Sequence, residues 1–365
     1  MAAKKECFGC KSQSDKIGIL IGQLGTPDSP TAKDLRPYLR RFLGDPRIIE
    51  KPRWLWNLIL HGIILRTRPS RSAKLYKRIW TEQGSPLLVI TEKQTEGIRR
   101  RLQEIHPSIE VVYGMRYSKP YLEDAVDELI NRGCSKILLF NMYPQYSATT
   151  SATNYDAVFK HLLKRRVVPT LRVAEPYYSH PAYIGALATT INEALKKDKT
   201  PPEKLVFSYH GIPEEYVEKG DIYCCHCTET TAALVPQLAI DQKDVIHTYQ
   251  SRFGRDPWLE PYTDETFERL GAAGIKKIAV AAPGFTTDCL ETLDELGNEG
   301  SHQFKEAGGE ELRLIPCLND HPAWLNGATT IITEEISSWL ETAKRNSGQT
   351  GKIACPVKVF KRANS

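Results

Sequence analysis

The sequence contains no apolar run long enough to cross a bilayer. Its longest, Trp54 to Leu65, has twelve residues and is broken by Asn57 and His61, whereas a membrane helix needs about 20. Met1 to Lys16 is polar and lacks the apolar core of a secretory signal, so the expected location is the cytoplasm. Charge of one sign is scarce as well. The 49 Lys and Arg residues against 44 Asp and Glu leave a formal charge of +5. That small excess is scattered rather than striped, which speaks against nucleic acid as a partner and leaves room for anionic ligands or lipid. Phosphate-binding glycine motifs are absent too. No Walker motif occurs, and the turn after the first apolar run, Gly25-Thr26-Pro27-Asp28-Ser29-Pro30, has one glycine and two prolines. Nucleotide binding by either familiar route is therefore disfavoured. With 41% hydrophobic and 25% charged residues, disorder, a collagen-like chain and a coiled coil are excluded.

The chain has 365 residues, a length that favours two domains over one. Short apolar, β-branched runs predict strands at Ile17–Leu24, Glu110–Tyr117, Lys136–Met142, Leu171–Val173, Lys204–Tyr209, Val245–Tyr249, Lys277–Ala281 and Leu312–Ile315. Amphipathic segments between them include Leu87–Ile105, Tyr121–Asn131, Ala182–Leu195 and Thr263–Gly271. This alternation implies an α/β fold with parallel sheets buried on both faces. Four strands precede residue 175 and four follow it, which predicts two Rossmann-like, doubly wound halves with ligands at the carboxyl ends of the strands. The expected divisions are a polar segment over 1–15, a first half over 16–175, a second over 176–345 and a basic tail over 346–365. Two similar phrases, Cys134 to Phe140 followed by Tyr143-Pro144-Gln145-Tyr146, and Ile275 to Val280 followed by Pro283-Gly284-Phe285, point to duplication, although any two βα units share this look.

Two constellations could carry chemistry. In Ser208-Tyr209-His210-Gly211-Ile212-Pro213, a strand delivers His210 to its carboxyl end, where an imidazole can take a proton near neutral pH or bind a metal. A structural histidine is the alternative. In the segment after the Lys277–Ala281 strand, Glu291, Glu295 and Glu299 recur at i, i+4 and i+8, so one helical face carries three carboxylates. Asp294 is the other charge nearby, also negative. Such a row suits a cation or a proton path, and a solvated acidic surface is the alternative. A neutral imidazole opposite carboxylates suits a divalent metal of N/O preference, such as ferrous iron. Aromatic and cationic residues gather at other strand ends: Arg116 and Tyr117, Tyr143 to Thr150 including Tyr146, Gln250 to Gly254, and Trp258. Together they could sandwich a large flat ligand and pair its carboxylates; singly, each aromatic could equally belong to the core. The Trp54–Leu65 segment, apolar with cationic ends, reads either as a lip touching a membrane interface or as a buried helix.

These residues resemble a known family. Ser208–Pro213, Gln250–Gly254 with Pro257-Trp258, and Pro283–Leu293 are similar to the signatures of ferrochelatase, which inserts ferrous iron into a porphyrin. Leu24–Pro27, Gly84–Leu87 and Pro144–Ser147 look like its N-terminal half, and the resemblance, covering roughly Lys16 to Trp339, is strongest to enzymes of Gram-negative bacteria that use protoporphyrin. It implies a class II chelatase-like fold, His210 and Glu291 as the active-site pair and metal ligands, and Glu295 and Glu299 as a relay for metal or protons. It also implies Arg116, Tyr117, Tyr146 and Trp258 as porphyrin contacts, with ferrous iron as substrate. Where animal members have a histidine two residues before the active-site glutamate, this chain has Cys289. A chelatase for coproporphyrin or another metal, and a non-catalytic tetrapyrrole carrier, are the rival readings.

Nine cysteines in a reducing compartment point to metal or reactivity rather than disulfides. Cys7 and Cys10 form a Cys-x-x-Cys, and Cys224, Cys225 and Cys227 form a triplet. Some ferrochelatases carry a 2Fe–2S cluster, which needs about four ligands; the triplet with Cys7, Cys10 or Cys289 could supply them. Zinc and free thiols are the alternatives.

Overall fold

The structure is a computed structural model describing residues 16–197, 200–254 and 256–347. Cys7 and Cys10 lie outside the described residues, as does the basic tail from residue 348 onward.

Eight strands form, each within two residues of an expected run: β1 (Lys16–Gln23), β2 (Ile109–Met115), β3 (Cys134–Asn141), β4 (Thr170–Val173), β5 (Lys204–His210), β6 (Val245–Gln250), β7 (Lys277–Ala281) and β8 (Glu311–Leu314). They make two four-stranded sheets of identical order, β2-β1-β3-β4 and β6-β5-β7-β8. Every pairing is parallel. The central strands β1 and β5 read as continuous apolar runs because helices cover both faces; Ile17, Ile19, Leu20 and Ile21 are fully buried. The two similar phrases of the sequence fall on β3 and β7, which hold the same place in their sheets.

One apolar cluster runs through both halves. It joins Ile19 and Phe140 of the first sheet to Phe207 and Ala279 of the second, with Trp324 fully buried among them. The second helical layer is interleaved. Helix Pro322–Glu335, which follows β8, packs on Pro181–Lys196 and on α4 (Pro86–Ile105) of the first half.

Between β1 and β2 the chain makes a helical excursion: α1 (Ala32–Leu43), α2 (Arg53–Ile59) continued by a π turn over Leu60–Ile64, and α3 (Leu65–Ile79). Leu35, Leu39 and Leu43 of α1 pack with Leu65, Ala73 and Tyr76 in a separate small core. The Trp54–Leu65 segment is not a buried helix. Trp54 is 71% exposed, Leu58 67% and Ile63 61%, while Trp56 is anchored by its indole N–H, 2.7 Å from the Leu43 carbonyl oxygen. Among the described residues no helix is long and apolar enough to cross a membrane.

Candidate active site

The carboxyl ends of both sheets open on one cavity of about 590 Å3, a size typical of small-molecule sites. His210 is the last residue of β5 and lines it. Its Nδ1 lies 2.6 Å from the Gly211 carbonyl oxygen. A carbonyl can only accept, so Nδ1 carries a proton, which leaves Nε2 as the nitrogen that faces the ligand as base or donor atom. Gly211 is required by close approach: a Cβ there would stand 3.0 Å from the Gln250 carbonyl oxygen and 3.2 Å from the Trp258 ring.

Glu291, Glu295 and Glu299 line the same cavity. The helix that carries them, Glu291–Glu299, is a π-helix rather than the α-helix the spacing suggests, a rare form that is frequent at functional sites. Gln250 ties it to β5. The Gln250 amide donates to the Glu291 carbonyl oxygen at 3.0 Å and accepts from the Ser208 hydroxyl at 2.8 Å. Burial raises the Glu295 carboxyl above its usual range and the Glu291 charge adds to this; the bond from Ser251 and the nearby His210 oppose it. Ser251 Oγ donates to Glu295 Oε2 at 2.6 Å from a left-handed backbone, φ 69°, a conformation uncommon for a residue with a side chain. Burial also pushes the Cys289 thiol well up, with the adjoining Glu291 carboxylate adding.

The carboxylate row is not without counter-charge. Arg78 of α3 reaches Asp294 at 3.3 Å and Glu299 at 3.2 Å, and Asp294 is almost wholly buried. Sequence spacing hides this cation, since 216 residues separate it from Asp294. Exposure rises along the row, from half-buried Glu291 and Glu295 to exposed Glu299.

Of the four residues expected to contact a porphyrin, Trp258 lines the cavity and the others do not. Arg116 binds Asp45 at 2.6 Å and Thr153 at 2.8 Å. Tyr117, 2% exposed, donates to the same Asp45 at 3.1 Å. A buried carboxylate demands such partners, and that demand draws both side chains away from the cavity. Tyr146 also turns aside, its backbone N–H bonded to His226 Nδ1 at 3.1 Å and its ring 6.5 Å from that of Tyr155.

In their place the helical excursion supplies a wall without a recognisable motif. Tyr38, Arg68 and Tyr76 line the cavity. Burial pushes both phenols up, and Glu291 contributes to each, so both stay neutral donors. The Arg68 guanidinium sits 5.7 Å over the Phe253 ring, and no ion pair engages it among the described residues. Tyr38 and Phe42, one turn apart beside the Leu35–Leu39–Leu43 stripe with rings 6.1 Å apart, are the signal that could have marked this wall.

The cysteine triplet does not converge. All three residues lie on helix Tyr223–Leu234; Cys227 is fully buried and Cys225 exposed. Among the described residues no three metal-ligating side chains gather at a point.

The family described as ferrochelatase matches residues 16–336. A ferrochelatase of Rhodopseudomonas palustris is 46% identical over 328 residues, covering 89% of this chain and 95% of that one. Those of Marinobacter nauticus and Mesorhizobium japonicum are 44% and 45% identical, covering 90% and 89% of this chain and 89% and 92% of theirs. Among solved structures, SirB from Bacillus subtilis with Fe3+ shares the fold at a TM-score of 0.51 and 13% identity, covering 92% of this chain and 98% of that one. With identity of this depth along most of its length and the strands, imidazole and carboxylate row in place, the chain belongs to the ferrochelatase family.

Proposed function

We infer that this protein inserts ferrous iron into protoporphyrin to form protohaem, with release of two protons, and that the cavity between the carboxyl ends of its two halves, residues 16–175 and 176–345, is where it does so. The observation that carries this reading is His210, its Nδ1–H held by a carbonyl, on the same cavity as three carboxylates of graded exposure.

A free-base porphyrin holds two pyrrole N–H protons that must leave as the metal enters. His210 Nε2 is the free base of the site, so it takes a proton or meets the iron. Glu291 stands at the inner end of the row as its partner. Glu295, with its raised affinity for a proton, receives from it, and exposed Glu299 opens to solvent. Walls that favour a bent macrocycle, with its nitrogen lone pairs turned outward, lower the barrier by binding the reacting shape more tightly than the flat one. Tyr38, Tyr76 and Trp258 are the aromatic walls, and Arg68, without an ion pair among the described residues, suits a propionate. No redox step is needed, since the iron stays ferrous.

A 2Fe–2S cluster does not fit the described residues: Cys227 points into the core while Cys225 faces solvent, so one cluster could not use both without rearrangement of the helix. No step above runs through such a group. The exposed Trp54, Leu55, Leu58 and Ile63, beside Lys51 and Arg53, support peripheral contact of this segment with the inner membrane, the protein being otherwise cytoplasmic.

The test is anaerobic insertion of ferrous iron into protoporphyrin, with coproporphyrin in parallel. Wild type forms protohaem, whereas His210→Ala binds porphyrin and forms none, and Glu291→Gln turns over on the order of 100-fold more slowly. Unchanged insertion by His210→Ala would overturn the assignment of the base. Faster turnover of coproporphyrin would reassign the substrate, and tight porphyrin binding with no insertion would make the protein a carrier.

A further inference from the structure

Gln94, on α4 of the first half, is fully buried and does not line the cavity, yet its amide grips the other half. Its Nε2 donates to the carbonyl oxygens of Thr286 at 3.0 Å and Asn319 at 2.8 Å. Two carbonyls around one terminal atom can only accept, so that atom is the NH2 and both its protons are used. The Gln94 Oε1 accepts from the Thr287 hydroxyl at 2.9 Å. That hydroxyl in turn accepts from Gln23 Nε2 of β1 at 3.2 Å.

The gripped turn is the one that launches the acidic helix. Thr286 and Thr287 are followed by Asp288, whose backbone N–H donates to Asn319 Oδ1 at 2.9 Å and whose carboxylate accepts from Asn319 Nδ2 at 2.6 Å and Thr292 Oγ1 at 2.9 Å. Thr292 is the neighbour of Glu291. Asn319, which holds a left-handed backbone, φ 45°, offers its carbonyl to Gln94 and its side chain to Asp288. A single amide thus spans from α4 to the loops after both β7 and β8, and the bonds that continue through Asn319 and Asp288 end at Thr292, one residue from Glu291.

We propose that Gln94 is a positioning residue for iron insertion: from outside the cavity, and from the opposite half, it fixes the turn that sets Glu291 against the porphyrin. The inference rests on the reading of Glu291 given above. Because Gln94 does not line the cavity, its loss changes how fast the bound porphyrin reacts rather than how tightly it binds. A displacement of about 1 Å at a reacting group costs on the order of 100-fold in rate.

Three variants test this, each compared with wild type for thermal unfolding, porphyrin binding by tryptophan quenching, and kcat and KM for anaerobic iron insertion. Gln94→Met keeps shape and loses all three bonds; the expected kcat is lower by roughly 10- to 100-fold, with porphyrin binding within about threefold of wild type. Gln94→Glu keeps the bond from Thr287 but turns an acceptor towards two carbonyls. Only its protonated form can donate there, so its kcat relative to wild type rises as pH falls. Thr95→Val removes a neighbouring buried hydroxyl that bonds only within α4, to Thr91, and leaves kcat unchanged. Wild-type kcat in folded Gln94→Met overturns the proposal, as does a parallel loss of kcat and binding. If Gln94→Met does not fold, a pH-independent ratio for Gln94→Glu overturns it. Absence of insertion by wild type removes the reading of Glu291 as well, which separates the two failures.

Discussion

Replacing Arg116 by Leu removes the guanidinium that stands 2.6 Å from Asp45 Oδ2. Asp45 is 5% exposed and keeps three other donors: the Tyr117 and Thr153 hydroxyls at 3.1 and 2.7 Å and the Arg47 N–H at 2.9 Å. Breaking a buried ion pair from one side costs about 3–5 kcal/mol, chiefly because the remaining charge is left uncompensated. The three retained donors and the partial exposure of Arg116 place this case at the lower end, about 3 kcal/mol. Urea unfolding followed by circular dichroism reads that loss, and quenching of tryptophan by added porphyrin reads binding in the same preparation. The expected outcome is a destabilised protein whose porphyrin affinity, measured where it is folded, stays within about threefold of wild type. The double variant Asp45→Asn/Arg116→Leu should lose less stability than the two single losses combined, because no charge is then stranded. Unaltered unfolding together with porphyrin binding weakened more than about tenfold would show that Arg116 serves the ligand, and the structural reasoning would be refuted.

Two further outcomes follow from the geometry. In Ser251→Ala, Glu295 loses the hydrogen bond that holds its proton affinity down against burial. Its carboxyl then ionises at higher pH, and the acidic limb of the kcat profile moves upward; a profile superimposable on wild type would remove Glu295 from the proton path. In Trp54→Ser/Leu58→Ser, two exposed lip side chains are made polar. With about 1.5–3 kcal/mol for each apolar side chain fully buried, co-sedimentation with anionic vesicles should fall more than tenfold while turnover of detergent-dispersed porphyrin is retained. Equal sedimentation would exclude the lip as the membrane contact.

Much of the scaffold is legible in the sequence because parallel strands covered on both faces leave a simple trace: β-branched runs ended by turns. All eight appear that way, and His210 is legible since a strand end followed by Gly-Ile-Pro is a place where chemistry collects. Glu291 is legible by its spacing with Glu295 and Glu299. What escapes is whatever depends on partners distant in the chain. The Arg78 counter-charge comes from a helix on the opposite half, and the π winding of Glu291–Glu299 leaves no mark on charge periodicity. Tyr38 and Tyr76 belong to no motif and reach the cavity only because the helical excursion folds over it. Arg116 and Tyr117 show the converse: their position at a strand end suggested ligand contact, but a buried carboxylate at Asp45, carried on the same excursion, claims them.

The excursion over residues 32–79 is inserted between two strands of one sheet, while the imidazole and carboxylates belong to the other. Arg78 apart, which pairs with Asp294 and Glu299, changes to the former alter which ring is admitted, how its edge is held and what surface is approached while the imidazole and the carboxylates themselves stay in place. Recognition and reaction are therefore largely separable, and a lineage, or a designer seeking a different tetrapyrrole, can vary this one stretch of chain, provided Arg78 is kept, while the reacting groups are inherited from the other half.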